Sequence, residues 1–146
     1  MRDGNSILRL LHYPPAAPGG AATAAIRAAA HEDINVITLL LGAEEAGLQL
    51  QDRAGQWRDI AAPPGSLVCN IGDMLERLTG ARLPSTTHRV VNPAPDRAGI
   101  ARYSMPFFLH FAPDHVIRTM PGGPQDWPPI TADEFLRKRL REIKLL

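Results

Sequence analysis

His31 and Asp33 are separated by one residue, Glu32, in the stretch "AAAHEDINVITLLLG" at positions 28–42. In a β-strand, residues i and i+2 point to the same face. The imidazole and the carboxylate can therefore approach one point, while Glu32 between them points the other way. Imidazole nitrogen and carboxylate oxygen are both common ligands of divalent metal ions. The same residues are also typical of a polar turn before a buried strand, so this spacing alone leaves both interpretations open.

A metal ion needs more than two protein ligands. The best candidate for the third is His88 in "STTHRVVN", which opens another predicted strand. Two histidines and one carboxylate on one face, with the opposite positions open, form the facial triad of non-heme Fe(II) oxygenases. The open positions of such a site accept a cosubstrate and O2. As a set, His31, Asp33 and His88 are the candidate metal ligands of this chain.

Length and composition indicate one domain, because 146 residues, 45% of them hydrophobic, can bury a single core. A formal net charge of +1 and the lack of a long basic run argue against nucleic acid as a partner. No apolar run approaches the roughly 20 residues of a membrane span, and the first residues lack the pattern of a signal peptide. Cys69 is the only cysteine, which excludes an internal disulfide and fits a cytoplasmic protein.

The predicted elements are mainly short strands, since 14 prolines and 12 glycines indicate many turns. Apolar and β-branched runs predict strands within 6–13, 34–41, 65–72, 85–92 and 100–111, and a hairpin around Arg53–Gly55. The alanine-rich part of 14–30 is ambiguous between helix and strand. This pattern is typical of a β-sandwich or barrel.

Two helices are predicted from their capping signals. The segment "DMLERLTG" at 73–80 has Asp73 as its N-cap and Gly80 after its end. The segment "TADEFLRKRLREIKLL" at 131–146 begins with a capping box formed by Thr131 and Glu134.

Three other chemistry-bearing side chains receive ordinary interpretations. Cys69 lies in an apolar strand and is expected to be a buried small hydrophobe. His110 has no partner at ligand spacing and is expected at the surface or half-buried. Arg27 is interpreted as a solvated arginine in preference to a residue that lines a substrate pocket.

Five segments form an ordered series of motifs: "LRLLHYPP", "HEDINVITLLL", "AGLQLQDRAGQWRDIAAPPGSLVCNIGDMLERLTG", "STTHRVVNP" and "ARYSMPFFLHF". The series resembles the 2-oxoglutarate/Fe(II)-dependent dioxygenase superfamily, in its isopenicillin N synthase-like branch, over roughly residues 5–145. The resemblance implies a mainly β fold, the double-stranded β-helix or jelly roll, with a short mid-chain helix and a C-terminal helix. It also implies that His31, Asp33 and His88 are the ligands of Fe(II).

The same resemblance implies a site for 2-oxoglutarate. Arg102 and Ser104 match an Arg-x-Ser motif that binds the distal carboxylate of 2-oxoglutarate in the family. Tyr13 matches a tyrosine whose hydroxyl assists at that carboxylate. The physical chemistry agrees, because Arg102 and Ser104 share a strand face and a guanidinium offers a planar fork to a carboxylate. Arg97 lies nearer to His88 but is not followed by x-Ser, so Arg102 is preferred.

The implied function is an Fe(II)- and 2-oxoglutarate-dependent oxygenase that oxidises a C–H bond of a small molecule with O2, forming succinate and CO2. Members of the branch are longer and have an N-terminal region that covers part of the jelly roll. Residues 1–146 are therefore expected to be one jelly-roll domain without that region, whose uncovered apolar side self-associates or binds a partner. Two alternatives stay open: a catalytically incompetent jelly-roll module that binds metal or a partner, and an oxygenase of the same branch that does not use 2-oxoglutarate.

Overall fold

The computed structural model describes residues 4–15, 27–41, 47–63, 65–92 and 99–146. Twelve strands and two helices follow one another in these ranges. They are β1 Ile7–Leu8, β2 Leu11–Tyr13, β3 Ala28–His31, β4 Ile37–Leu41, β5 Leu48–Gln51, β6 Trp57–Asp59, β7 Leu67–Ile71, α1 Asp73–Thr79, β8 His88–Val90, β9 Arg102–Ser104, β10 Pro106–Leu109, β11 Val116–Ile117, β12 Ile130–Thr131 and α2 Ala132–Glu142.

Two four-stranded antiparallel sheets form the body of the fold. One has the strand order β1-β10-β4-β7 and the other β3-β8-β5-β6, while β2 pairs with β9 and β11 with β12. Most neighbouring strands are not consecutive in sequence, so the chain passes repeatedly between the sheets. Residues of both sheets line one cavity. The predicted fold, a mainly β jelly roll with a mid-chain and a C-terminal helix, is confirmed.

Strand β4 shows how alternation divides the inside of the fold from the outside. Thr38 and Leu40 line the cavity, whereas Leu39 and Leu41 have the opposite phase. Pairing with β10 and β7 extends both faces across the sheet, because Leu40 lies opposite Pro106 and Val68. The side chains of this apolar run therefore form both faces of the sheet, and only one of these faces lines the cavity.

The outer face of this sheet is apolar and uncovered in the part of the chain that is described. Leu8 and Leu67 are each 59% exposed and Leu41 is 46% exposed. Cys69 lies opposite Leu39 and is also exposed. The prediction that Cys69 is buried is wrong, because the residue belongs to the outward phase of β7.

The buried core lies beside the helices. Its members are Val36, Met74, Ile117, Ala132 and Phe135. The capping box of α2 is present as predicted, and Gly80 ends α1 in the left-handed conformation with φ 60°. Helix α2 ends at Glu142, four residues before the predicted end, and Lys144 beyond it has φ 58°. Neither helix is long and apolar enough to cross a membrane.

The turn between β7 and α1 requires glycine at position 72. A Cβ atom there would collide with the carbonyl oxygen and Oδ1 of Asn35. This contact brings the turn against the segment that carries Asp33, whose carbonyl accepts a hydrogen bond from the Asp73 amide at 2.8 Å. Gly72 is the N-cap, and Asp73 is the first helical residue. The prediction of Asp73 as N-cap is therefore wrong by one position.

His110 lies at the end of β10 and is buried, contrary to the prediction of a surface or half-buried position. Burial lowers the pKa of His110, and the negative charge of Asp33 opposes this shift. The unfolded chain therefore binds this proton more readily than the folded chain. The contribution of neutral His110 to stability is present above the unfolded pKa and is lost as the pH falls below it.

When the pH falls from 7.5 to 5, we expect the free energy of unfolding to decrease less in the His110→Gln variant than in the parent chain. Glutamine does not take up a proton on unfolding, whereas His110 does. Urea unfolding followed by circular dichroism at several pH values measures this difference. His12→Gln is the matched control, since His12 is exposed. Parallel stability curves for the parent and His110→Gln would contradict the prediction.

Candidate metal centre

His31, Asp33 and His88 come together in the wall of the cavity. His31 ends β3 and lies opposite His88, the first residue of β8. The strand stops at His31, so Asp33 lies in the following segment and not on the same strand face as expected. Its Oδ1 is nevertheless 3.7 Å from His31 Nε2 and 3.9 Å from His88 Nε2. One ligand atom from each residue lies within 4.8 Å of the others.

Both histidine rings are held with Nε2 free to bind a metal. Nδ1 of His31 is 2.7 Å from the carbonyl oxygen of Ala29, and Nδ1 of His88 is 3.0 Å from that of Thr86. A carbonyl oxygen only accepts, so each Nδ1 carries the proton and donates it. The neutral ring then has its lone pair on Nε2, the atom that faces Asp33. This backbone bond is the usual way in which a metal-binding histidine is oriented.

The Asp33 carboxylate is buried and held by one of its two oxygens. Its Oδ2 accepts hydrogen bonds from Thr38 Oγ1 at 2.5 Å and from Asn70 Nδ2 at 2.8 Å. Asn35 donates to Thr38 Oγ1 at 2.8 Å and so orients that hydroxyl. Oδ1 is left facing the two histidines. Two neutral nitrogens and one anionic oxygen suit a divalent first-row ion such as Fe(II), so the residues fit the group that the sequence implies.

Asn35, Thr38 and Asn70 are supporting residues that were not predicted from the sequence. A signal for all three is present in the sequence. They are polar residues within the apolar stretches "NVITLLL" and "VCNIG". A buried polar side chain needs a hydrogen-bond partner. The partner is the Asp33 carboxylate for Thr38 and Asn70, and the Thr38 hydroxyl for Asn35.

The predicted 2-oxoglutarate residues line the same cavity of about 530 Å3 as the three candidate ligands. Arg102 and Ser104 are buried and lie opposite Tyr13 and Leu11 in the β2–β9 pair. The Arg102 guanidinium carbon is 5.4 Å from the centroid of the Tyr13 ring. The structure therefore brings Arg102, Ser104 and Tyr13 together on one wall. Arg97, the alternative to Arg102, lies outside the described residues.

Glu32 points away from the candidate metal ligands on either side of it. Its Oε1 accepts a hydrogen bond from Thr87 Oγ1 at 2.9 Å, and its Oε2 is 3.9 Å from Arg139 Nη2. Thr87 immediately precedes His88, so this bond joins the two segments that carry the histidines. Arg139 belongs to α2 and so connects Glu32 to that helix. It also donates to Oδ2 of Asp73, the first residue of α1, at 2.9 Å.

We expect Glu32→Ala to weaken Fe(II) binding about threefold to tenfold, because loss of one hydrogen bond loosens the spacing of His31 and His88. Glu32→Gln keeps an acceptor for Thr87 and should lose less. Anaerobic Fe(II) titration measures the dissociation constant. Glu142→Ala is the matched control, since Glu142 accepts from Arg139 but does not contact Thr87. Equal weakening in Glu32→Ala and Glu142→Ala would contradict a specific role of the Glu32–Thr87 bond.

Residues 4–111 match the model of the 2OG-Fe(II) oxygenase superfamily. This match covers most of the chain, and the jelly-roll fold agrees with it. The chain belongs to the 2OG-Fe(II) oxygenase superfamily, whose cofactors are Fe(II) and 2-oxoglutarate.

Solved and curated relatives agree with this assignment. A 2OG-Fe(II) oxygenase family protein from Caulobacter crescentus is 63% identical with a TM-score of 0.88, over 97% of this chain and 47% of that chain. A full-length Neurospora crassa protein, solved in complex with alpha-KG, is 32% identical with a TM-score of 0.84, over 94% of this chain and 45% of that chain. A 2-oxoglutarate-Fe(II) type oxidoreductase of Aspergillus fumigatus is 39% identical over 140 residues, 92% of this chain and 40% of the relative. The chain thus spans less than half the length of each of these relatives.

Proposed function

We propose that this chain is the metal-binding core of an Fe(II)- and 2-oxoglutarate-dependent oxygenase. The reaction oxidises a C–H bond of a small molecule with O2 and forms succinate and CO2. One observation carries the proposal. A trio of metal-ligand side chains and a buried Arg-x-Ser pair lie in the walls of the same cavity. Neither half of that arrangement suffices for this reaction by itself.

In this proposal His31 Nε2, Asp33 Oδ1 and His88 Nε2 hold Fe(II), and Thr38 and Asn70 fix the orientation of the Asp33 carboxylate. When bound, Fe(II) supplies the oxidising chemistry with O2 and 2-oxoglutarate. The Nδ1 contacts of both histidines with backbone carbonyls orient the rings so that each Nε2 faces the metal position.

Arg102 and Ser104 would bind the distal carboxylate of 2-oxoglutarate and orient its other end toward the metal. Tyr13 lies opposite Arg102, and its hydroxyl would assist at that carboxylate. Much of the cavity wall is apolar, including Leu40 and Phe108. Such walls exclude water from the oxidising centre, which suppresses side reactions.

The test is to measure O2 consumption and succinate formation by the Fe(II)-loaded chain, with and without 2-oxoglutarate. We expect O2 consumption that requires 2-oxoglutarate and yields one succinate per O2. Asp33→Asn should abolish both. O2 consumption without a need for 2-oxoglutarate would favour an oxygenase of the same branch with another electron source. Metal binding without any turnover would favour the incompetent jelly-roll module.

Several finer assignments stay predictions. The ordered motif series supports the isopenicillin N synthase-like branch, and the single cysteine supports a cytoplasmic location. One jelly-roll domain over residues 1–146 is supported by the family match and the two sheets that share a cavity. The exposed outer face with Leu8, Leu41 and Leu67 supports self-association or a partner on that side.

A further inference from the structure

Among the residues that the structure describes, two arginines besides Arg102 lie in the cavity wall. Arg9 lines it together with Leu11 and Tyr13, as expected for alternate residues that follow one face of an extended chain. Arg27 immediately precedes β3 and is half-buried. Its guanidinium carbon is 5.4 Å from the centroid of the Tyr13 ring, which Arg102 approaches at the same distance. Of the two interpretations of Arg27, the structure favours a residue that lines a pocket.

The charge of the described cavity wall is unbalanced. Asp33 is its one carboxylate in the parts of the chain that the structure describes, and that group is engaged by Thr38, Asn70 and the two histidines. Within those parts, neither Arg9 nor Arg27 has a carboxylate partner. A guanidinium beside an apolar wall interacts most favourably with an anion that reaches it.

Much of the remaining cavity wall is apolar. It includes Leu11, Leu48, Leu50, Ile60 and Val68. A ligand that matches this surface has an apolar body that contacts these side chains and an anionic group that reaches a guanidinium. A planar carboxylate fits the fork of one arginine and needs no cradle of backbone amides, as a phosphate commonly does.

We propose that the substrate is an apolar small carboxylic acid whose carboxylate is bound by Arg27, with Arg9 adding to the positive potential of the cavity. The proposal rests on the proposed function, in which Arg102 already binds 2-oxoglutarate. Arg27 then sets the specificity for the second acid in the site. The aliphatic and aromatic walls set the shape of its body.

The test compares two probes of the same shape, 3-phenylpropanoate and 3-phenylpropanamide. Each is titrated calorimetrically into Zn(II)-loaded protein that is saturated with 2-oxoglutarate, whose own binding is measured first. We expect the acid to bind about tenfold more tightly than the amide, the effect of one charge-assisted hydrogen bond. Arg27→Gln should remove most of this preference and Arg9→Gln a smaller part. Arg58→Gln, an arginine paired with Asp52 outside the cavity, should leave it unchanged.

The preference for acid over amide separates a binding role from a structural one. If Arg27 only packs on Tyr13, Arg27→Gln weakens both probes equally and the proposal fails. Equal binding of the two probes, binding of neither, or an unchanged preference in both cavity variants also overturns it. Failure of the protein to bind 2-oxoglutarate is a separate result, which overturns the proposed function itself.

Discussion

Asp33→Asn is expected to reduce the Fe(II) retained by the chain from about one ion per chain to almost none. The variant keeps the shape of the side chain and an oxygen that accepts from Thr38 and Asn70. It presents an amide nitrogen, which is not a ligand, where Oδ1 faces the histidines. Loss of an outer-shell partner costs about 10- to 100-fold in metal affinity, so loss of a ligand should cost more than about 100-fold. The measurement is metal analysis of protein that is loaded anaerobically and desalted.

The matched control for this experiment is Asp59→Asn. Asp59 is an exposed carboxylate on β6 that accepts from Gln49 Nε2 at 2.9 Å and lies away from the trio. It should retain the Fe(II) of the parent. Circular dichroism of each variant shows whether the fold is kept. Stoichiometric Fe(II) in a variant that carries His31→Ala, Asp33→Ala and His88→Ala together would disprove the assignment of all three ligands.

Arg102→Leu is expected to raise the dissociation constant of 2-oxoglutarate by about tenfold or more. Removal of a charge-assisted hydrogen bond costs about 1.5–3 kcal/mol, and leucine offers no other donor to the distal carboxylate. Ser104→Ala should have a smaller effect, since it removes one neutral donor. Anaerobic titration of the charge-transfer band of the Fe(II)–2-oxoglutarate complex measures the constant.

Arg58→Leu is the control for the loss of one positive charge, because Arg58 lies outside the cavity and pairs with Asp52. Its titration curve should match that of the parent. An unchanged curve for Arg102→Leu, with weakened binding in Arg97→Leu, would transfer the carboxylate site to Arg97. Fe(II) content is measured in the same samples, so a change in metal binding is not mistaken for a change in 2-oxoglutarate binding.

Much of the candidate site follows from the sequence because its residues occur in local patterns. The His-x-Asp pair, His88 at the start of a predicted strand and the Arg-x-Ser pair can all be named from their spacing and from the motif series. Local rules also predict the capping box of α2 and the left-handed Gly80, since these depend on residues within one helical turn.

Contacts between distant segments could not be predicted in the same way. Asp33 leaves the strand that was expected to orient it, and its direction is set by Thr38 and by Asn70 from β7. The hydrogen bond of Glu32 could not be predicted for the same reason, because its partner Thr87 comes from another segment. These bonds depend on strand register, which spacing along one segment does not specify.

The sequence by itself determined the mainly β class, most of the element positions and the identity of the candidate ligands. Periodicity, capping and turn signals depend on residues that are close in sequence, so they can be recognised without the tertiary structure. Only the tertiary structure decided that Arg27 lines the cavity and that Cys69 faces outward. It also decided that position 72 must be glycine, because Asn35 approaches it too closely for a Cβ. The physical reason is common to all three, since exposure and collision depend on which distant side chains pack against a residue.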